Sequence, residues 1–212
     1  MKKLIFGSLA FVFLVATSYF WYLNTYHWCI QEDGPVEHLT AAALFLISCF
    51  DGVKALLEFK QHVKPQIFWL LISACSFIGF GEEISWGQRL FDFQSSPFSL
   101  QQNSEHEIDL HKFNWGNRSV NQFFSPVLYL GLAIYFFLLP VGVGRILFLE
   151  KWTSRWAIPL PSAVHAVVFL ITTSLVLLIP DPNKWELGEA FVVLILFWII
   201  LNYRSEQRIY GK

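Results

Sequence analysis

Apolar residues in this chain come in long unbroken runs rather than in the short periodic stretches of a soluble helix or strand. Six runs are long and apolar enough to cross a hydrocarbon layer as helices: Leu4 to Asn24, Leu39 to Leu57, Ile67 to Trp86, Val127 to Gly144, Ser162 to Ile179 and Leu187 to Tyr203. The shortest are marginal alone, yet Pro35, Pro65, Pro126, Pro161 and Pro182 each stand just before a run and mark where a helix starts. No internal repeat, low-complexity tract or dividing linker interrupts them. The pattern predicts an all-α integral membrane protein, a bundle of six transmembrane helices forming a single transmembrane domain over residues 1–212. A long loop, residues 87–125, joins the third and fourth helices.

Composition sharpens this. Hydrophobic residues make up 55% and charged residues 15%, against roughly a quarter charged in an average soluble domain, and mean hydropathy is +0.47. Disordered, collagen-like and disulfide-scaffold readings are excluded. Cys29, Cys49 and Cys75 lie in or beside apolar runs and read as small buried residues.

The formal net charge of −1 becomes informative once it is divided by side. With the N-terminus inside, Lys2, Lys3, Lys54, Lys60, Lys64, Arg145, Lys151, Arg155, Arg204, Arg208 and Lys212 lie on the inner side. Only Arg89, Lys112, Arg118 and Lys184 of the 15 basic residues lie outside. Both termini are therefore expected to be cytoplasmic. The acids divide the other way, with Asp51, Glu58, Glu150 and Glu206 inside and the other 12 of 16 outside. Lys2 and Lys3, an apolar stretch and Ala16-Thr17-Ser18 could also mark a cleavable signal peptide. The apolar stretch continues into Phe20, Trp21 and Tyr22, which suit an interfacial belt and favour a retained first span.

The outer acids concentrate at three helix ends and in the long loop. In Gly81-Glu82-Glu83-Ile84-Ser85-Trp86-Gly87-Gln88-Arg89, two adjacent carboxylates sit at the C-terminal end of a membrane helix, where the macrodipole disfavours them. An ion pair of one Glu with Arg89 is the plainer alternative. In Asn103-Ser104-Glu105-His106-Glu107-Ile108-Asp109-Leu110-His111, oxygen donors and an imidazole can converge in either extended or helical conformation, a ligand set suited to zinc, manganese or iron. A solvated acidic loop would look the same. Glu32, Asp33, Glu37 and His38 surround the start of the second span, where Pro35 and Glu37 also fit an ordinary helix N-terminus. Asn183 and Glu186 have capping-box spacing, whereas Glu189, one turn deeper, has no such role. Carboxylates gathered at one level would repel, so a cation or shared protons must hold them together.

Two polar features lie toward the inner side. Asp51, Lys54 and Glu58 fit an internal ion pair as well as a gate, and His165 reads as a hydrogen-bonded packing residue. Phosphate loops, nucleophile elbows and cysteine metal motifs are absent, and no nucleic-acid partner is expected.

Gly81, Glu82, Glu83, Ser85, Trp86, Gly87, Gln88 and Arg89, followed by Asn103, Glu107, Leu110 and His111, resemble a group of bacterial multi-pass membrane proteins. In that group a G-E-E-x-S-W-G-Q-R segment precedes N-x-Q-x-E-x-x-L-H-N. The chain departs from the pattern at Glu105 and Lys112, where the group has Gln and Asn. The resemblance covers roughly the first 120 residues; it implies the bacterial inner membrane and carries no activity. A fainter similarity is to the ceramidase and progestin-receptor-like membrane hydrolases, whose paired late histidines are missing because His165 stands alone.

These features lead to a metal-dependent membrane hydrolase or transferase acting from the outer face on a lipid-linked or amphipathic substrate. The expected divalent metal (zinc, manganese or iron) would be held by Glu82, Glu107 and His111 with Glu37 and Glu189 in support. Glu83 would be general base, Arg89 would hold an anionic substrate group, and Trp86, Gln88 and Asn103 would bind substrate. Trp28, Trp115 and Trp185 join Trp86 at the outer rim. A cation-coupled transporter or binding protein, with an inner gate at Asp51 and Lys54, is the alternative; a structural subunit of an envelope complex is the third. Oligomerisation is left open.

Overall fold

The computed structural model describes residues 1–58, 63–87, 114–115 and 118–210, with side chains described except at 58, 63–64, 114–126 and 204–210. Nine helices lie among the described residues: α1 (Lys2–Ser18), α2 (Leu23–Ile30), α3 (Pro35–Glu58), α4 (Val63–Glu83), α5 (Val120–Ala133), α6 (Leu139–Val143), α7 (Leu147–Trp156), α8 (Ala163–Leu178) and α9 (Trp185–Tyr210). Short 3-10 turns occupy Ser85–Gly87 and Pro182–Lys184, and a wide π turn, Ile134–Leu138, joins α5 to α6. The described strands are β1 (Asn114–Trp115) and β2 (Arg118–Ser119), two residues each and antiparallel, with Asn114 opposite Ser119 and Trp115 opposite Arg118. The protein is all-helical in every other respect.

Three segments, Leu23–Leu57, Pro65–Glu83 and Pro182–Tyr203, are long and apolar enough to cross a membrane. A fourth arises if Val127–Val143 and Leu147–Trp156, bent by 116° at their junction, count as one broken span. The first and fifth expected spans correspond to α1 and α8, which have 17 and 16 residues. At about 1.5 Å per residue these fall several ångströms short of a hydrocarbon core of about 30 Å. The expected first span does not run through to Asn24: α1 stops at Ser18, and Phe20, Trp21 and Tyr22 lie exposed before α2 begins.

The 116° bend follows from the sequence. Pro140 has no N–H to offer the turn behind it and its ring crowds the carbonyl four residues back, so the helix widens into the π turn immediately before it. The chain breaks after Val143 and resumes at Leu147 in a new direction. Pro126 behaves differently from the boundary it suggests, since α5 starts at Val120 and carries it inside the helix.

α9 is the centre of the bundle. Of its most apolar window 56% is buried, against 17% for α4, and it packs on α1, α3 and α8. Leu187, Phe191, Leu194, Ile195, Trp198 and Leu201 are buried along it. α1 presents Ile5, Leu9, Val12 and Ala16, spaced four, three and four residues apart, to this core; Leu4, Phe13 and Leu14 on its other faces are exposed. Such apolar exposure is what a lipid-facing helix requires. Because lipid is as apolar as leucine, close contact rather than exclusion from water must join the helices. α3 and α4, the most extensively packed pair, meet that need with small residues. The Ser73 hydroxyl donates to the Ser48 carbonyl oxygen at 2.8 Å and lies close against Gly52.

Candidate functional site

The chain direction places the N-terminus of α3, the C-terminus of α4 and the N-terminus of α9 at one end of the bundle. The Gly81–Gly87 motif is here a folded unit. Past Glu83 the residues Ser85, Trp86 and Gly87 all take left-handed backbone angles, with φ of 46°, 52° and 77°. Left-handed geometry costs about 1–2 kcal/mol for a residue with a Cβ, and only Gly87 escapes that cost. The turn lays the Trp86 ring against Gly81, where a Cβ would stand 2.9–3.0 Å from three ring atoms. The indole N–H then donates to Glu82 Oε1 at 2.7 Å. The motif therefore needs glycine at 81 for space and tryptophan at 86 for a ring that also carries a donor.

The second wall is the α2–α3 turn. Asp33 has φ 56°, and a Cβ at Gly34 would stand 2.6 and 2.7 Å from the carbonyl oxygens of Gln31 and Cys29. This tight turn lets the Asp33 backbone N–H donate to Glu37 Oε2 at 2.5 Å. Glu37 thus serves the helix start, the plainer of its two expected roles. At the same end the His27 ring nitrogen Nδ1 lies 3.6 Å from Asp181, which accepts the Asn183 N–H at the head of the turn into α9.

Glu37 has a further neighbour. The carboxylate of Glu189 on α9 feels that of Glu37, although 152 positions separate them in sequence, and Glu189 in turn acts on the Tyr129 hydroxyl of α5. Glu189 is exposed at the surface of the bundle. Tyr129 lies 5.6 Å from Trp185, ring centre to ring centre, and its hydroxyl closes over Gly188. Two expected metal ligands therefore share one electrostatic field, and a tyrosine that sequence reasoning did not single out joins them. Nothing in the sequence distinguishes Tyr129 from an interfacial aromatic.

Among the described residues no group of three or more His, Cys, Asp or Glu side chains has metal-binding geometry. Glu82 and Glu83 stand at the same end on α4. Gln88, Arg89, Asn103, Glu105, Glu107 and His111 lie outside the described residues.

At the opposite end, about 25 Å along α3 from Glu37 at 1.5 Å per residue, lies a second polar group. Asp51 is fully buried with neither carboxylate oxygen hydrogen-bonded, and Lys54 acts on it electrostatically. The Lys54 ammonium is held over the Trp69 ring at 3.3 Å and the Tyr203 ring at 4.1 Å. His165 is buried there too: its Nδ1 accepts the Ser162 backbone N–H at 2.9 Å, its Nε2 lies 3.2 Å from the Asn202 amide, and its ring meets Trp198 edge-on at 4.3 Å. The N–H bond fixes Nδ1 as an acceptor, and Asn202 faces Nε2 with its amide nitrogen. His165 is a cap and packing residue, as its solitary position in the sequence suggests.

Comparison of the chain with protein-family models, with curated proteins and with solved structures gave no match.

Proposed function

We propose that this chain is a membrane-embedded, metal-dependent hydrolase or transferase whose site lies at the Glu37, Glu82 and Glu189 end of the bundle and takes a lipid-linked or amphipathic substrate. The observation that carries the reading is that Glu37 on α3, Glu82 and Glu83 on α4 and Glu189 on α9 come to one end of the bundle, with Glu37 and Glu189 near enough to act on one another electrostatically. Carboxylates gathered in this way are eased by a proton or a cation. In this reading Glu82, Glu107 and His111 complete the ligand set, Glu83 is general base, Arg89 holds an anionic substrate group, and Trp86, Gln88 and Asn103 contact substrate. Six membrane crossings with both termini cytoplasmic, in a bacterial inner membrane, set this end outside.

The test is metal analysis of detergent-purified protein. Stoichiometric metal in the wild type, lost in His111→Ala, reduced in Glu189→Gln and kept in Glu83→Gln, is expected. Protein without metal whose thermal stability is unmoved by added zinc, manganese or iron would overturn the reading.

Asp51 favours a second reading, a cation-coupled transporter, because a buried carboxylate without hydrogen bonds inside a membrane bundle is costly unless it serves passage. That reading expects cation uptake into vesicles, abolished in Asp51→Asn.

A further inference from the structure

Two adjoining cavities of opposite character run from the middle of the bundle toward the end opposite Glu37 and Glu189. One, of about 410 Å³, is lined almost wholly by carbon, including Ile47, Trp69, Ile72, Leu132, Trp152 and Leu196. The other, of about 490 Å³, presents Thr153, Ser154, Ser162, His165, Asn202 and Tyr203. Both lie in the volume range of small-molecule sites.

The two are neighbours by construction. Ile158 lines both; Trp152 faces the apolar cavity while Thr153 and Ser154, next on α7, line the polar one; Ile200 and Asn202 divide in the same way on α9. Lys54 sits at the junction, its ammonium between Trp69, which lines the apolar cavity, and Tyr203, which lines the polar one. The bend after Pro140 makes this arrangement possible, because it brings α7 back against α4.

We propose that this end of the bundle binds an anionic phospholipid from the surrounding leaflet, one acyl chain in the apolar cavity and the headgroup in the polar one. Three observations identify the occupant. A ligand matching both cavities must be amphipathic, with a hydrogen-bonding head directly joined to a hydrocarbon tail. An apolar cavity of this size in a hydrocarbon setting gains dispersion contacts from a chain that water could not supply. The bordering segment carries Arg145, Lys151 and Arg155 against Glu150 alone, a charge balance that complements a phosphate. α7, which bears two of these cations, also exposes Leu147, Phe148 and Trp152, the composition of a helix lying in the membrane surface. The site is distinct from the carboxylate cluster, since neither cavity is lined by Glu37, Glu82 or Glu189.

The test uses the full-length protein in phosphatidylcholine vesicles doped with phosphatidylglycerol bearing a diazirine on one acyl chain. After irradiation, cross-links mapped by mass spectrometry are expected within residues 68–76, 132–139 and 193–200, and excess unlabelled phosphatidylglycerol should compete about tenfold better than phosphatidylcholine. Leu196→Trp, whose larger ring intrudes on the apolar cavity, should weaken these cross-links, and Lys151→Gln with Arg155→Gln should remove the headgroup preference while leaving chain binding. Labelling spread over the exposed residues Leu14, Leu128 and Leu170, without competition, would mean boundary lipid only and would overturn the proposal. The wild-type map decides even if Leu196→Trp fails to fold. Metal content serves as a separate readout: loss of the metal-site reading with the cross-link map intact leaves this proposal standing, and the reverse outcome refutes it alone.

Discussion

Replacing Gly81 with alanine tests whether the turn after α4 is the interlocked unit described above. The new Cβ would lie 2.9 Å from Trp86 Cε2 and 3.0 Å from Cδ2 and Cε3, so the ring must move. It cannot move freely, because Ser85, Trp86 and Gly87 fix its approach and its N–H is bonded to Glu82. Alanine gains about 1 kcal/mol over glycine within a helix. Against this, crowding costs about 1–3 kcal/mol and loss of the partly exposed indole bond about 1 kcal/mol. The net expectation is a loss of about 1–3 kcal/mol, or roughly 2–12 °C in Tm for a chain of this length. The control is Gly7→Ala in α1, where nothing lies within 4 Å of the new methyl and stability should hold or rise. Trp86→Phe isolates the donor, keeping the ring and losing only about 1 kcal/mol. Thermal unfolding in one detergent, followed by circular dichroism, compares the variants. If Gly81→Ala melts at or above Gly7→Ala, the Trp86 ring does not rest on Gly81 and the account of the motif is wrong.

Gly34→Ala should be harsher, because its clashes at 2.6 and 2.7 Å are with backbone oxygens that cannot rotate away; a loss of about 2–4 kcal/mol is expected in the same melting assay. His165→Ala removes two hydrogen bonds and the edge contact with Trp198, and should cost about 2–4 kcal/mol, with Asn202→Leu reproducing part of the loss in a double-mutant cycle. Lys54→Met strips the buried Asp51 of its neighbouring positive charge and should destabilise by about 3–5 kcal/mol. Adding Asp51→Asn to it should restore most of the stability, and a double variant no more stable than Lys54→Met would show that the two do not act on one another.

Helix content was legible because each apolar run reports its own length, and several boundaries fell where local chemistry put them. Pro35 begins α3, and Ser162 with His165 forms the cap that starts α8 within a residue of expectation. Departures from expectation have local physical causes. The third span was read through to Trp86, but three left-handed residues end α4 at Glu83, and nothing in an apolar count registers backbone handedness. The fourth expected span, Val127 to Gly144, agrees with a helical segment that runs to Val143 and widens just before Pro140; an apolar count does not register the 116° turn after it, which joins α7 to the bundle and shapes both cavities. Lys54 reads as half of an ion pair, and the structure adds what the sequence does not show: its ammonium lies over the rings of Trp69 and Tyr203, aromatics that in sequence look like any others in the chain.

By itself the sequence determined that this is a helical membrane protein, which residues face a hydrocarbon environment, and which segments carry its acids and bases. These are properties of single runs, set by the length a bilayer demands and by the expense of a charge within it. Tertiary structure alone decided that α9 is the central helix, that Glu37 meets Glu189 across 152 positions, and that Trp69 and Tyr203 close on Lys54. In lipid every face of such a helix is apolar enough to be exposed, so hydrophobicity cannot tell which face meets which partner. Partner choice rests instead on small residues, ring shapes and a few hydrogen bonds, and these acquire meaning only when two helices are already in contact.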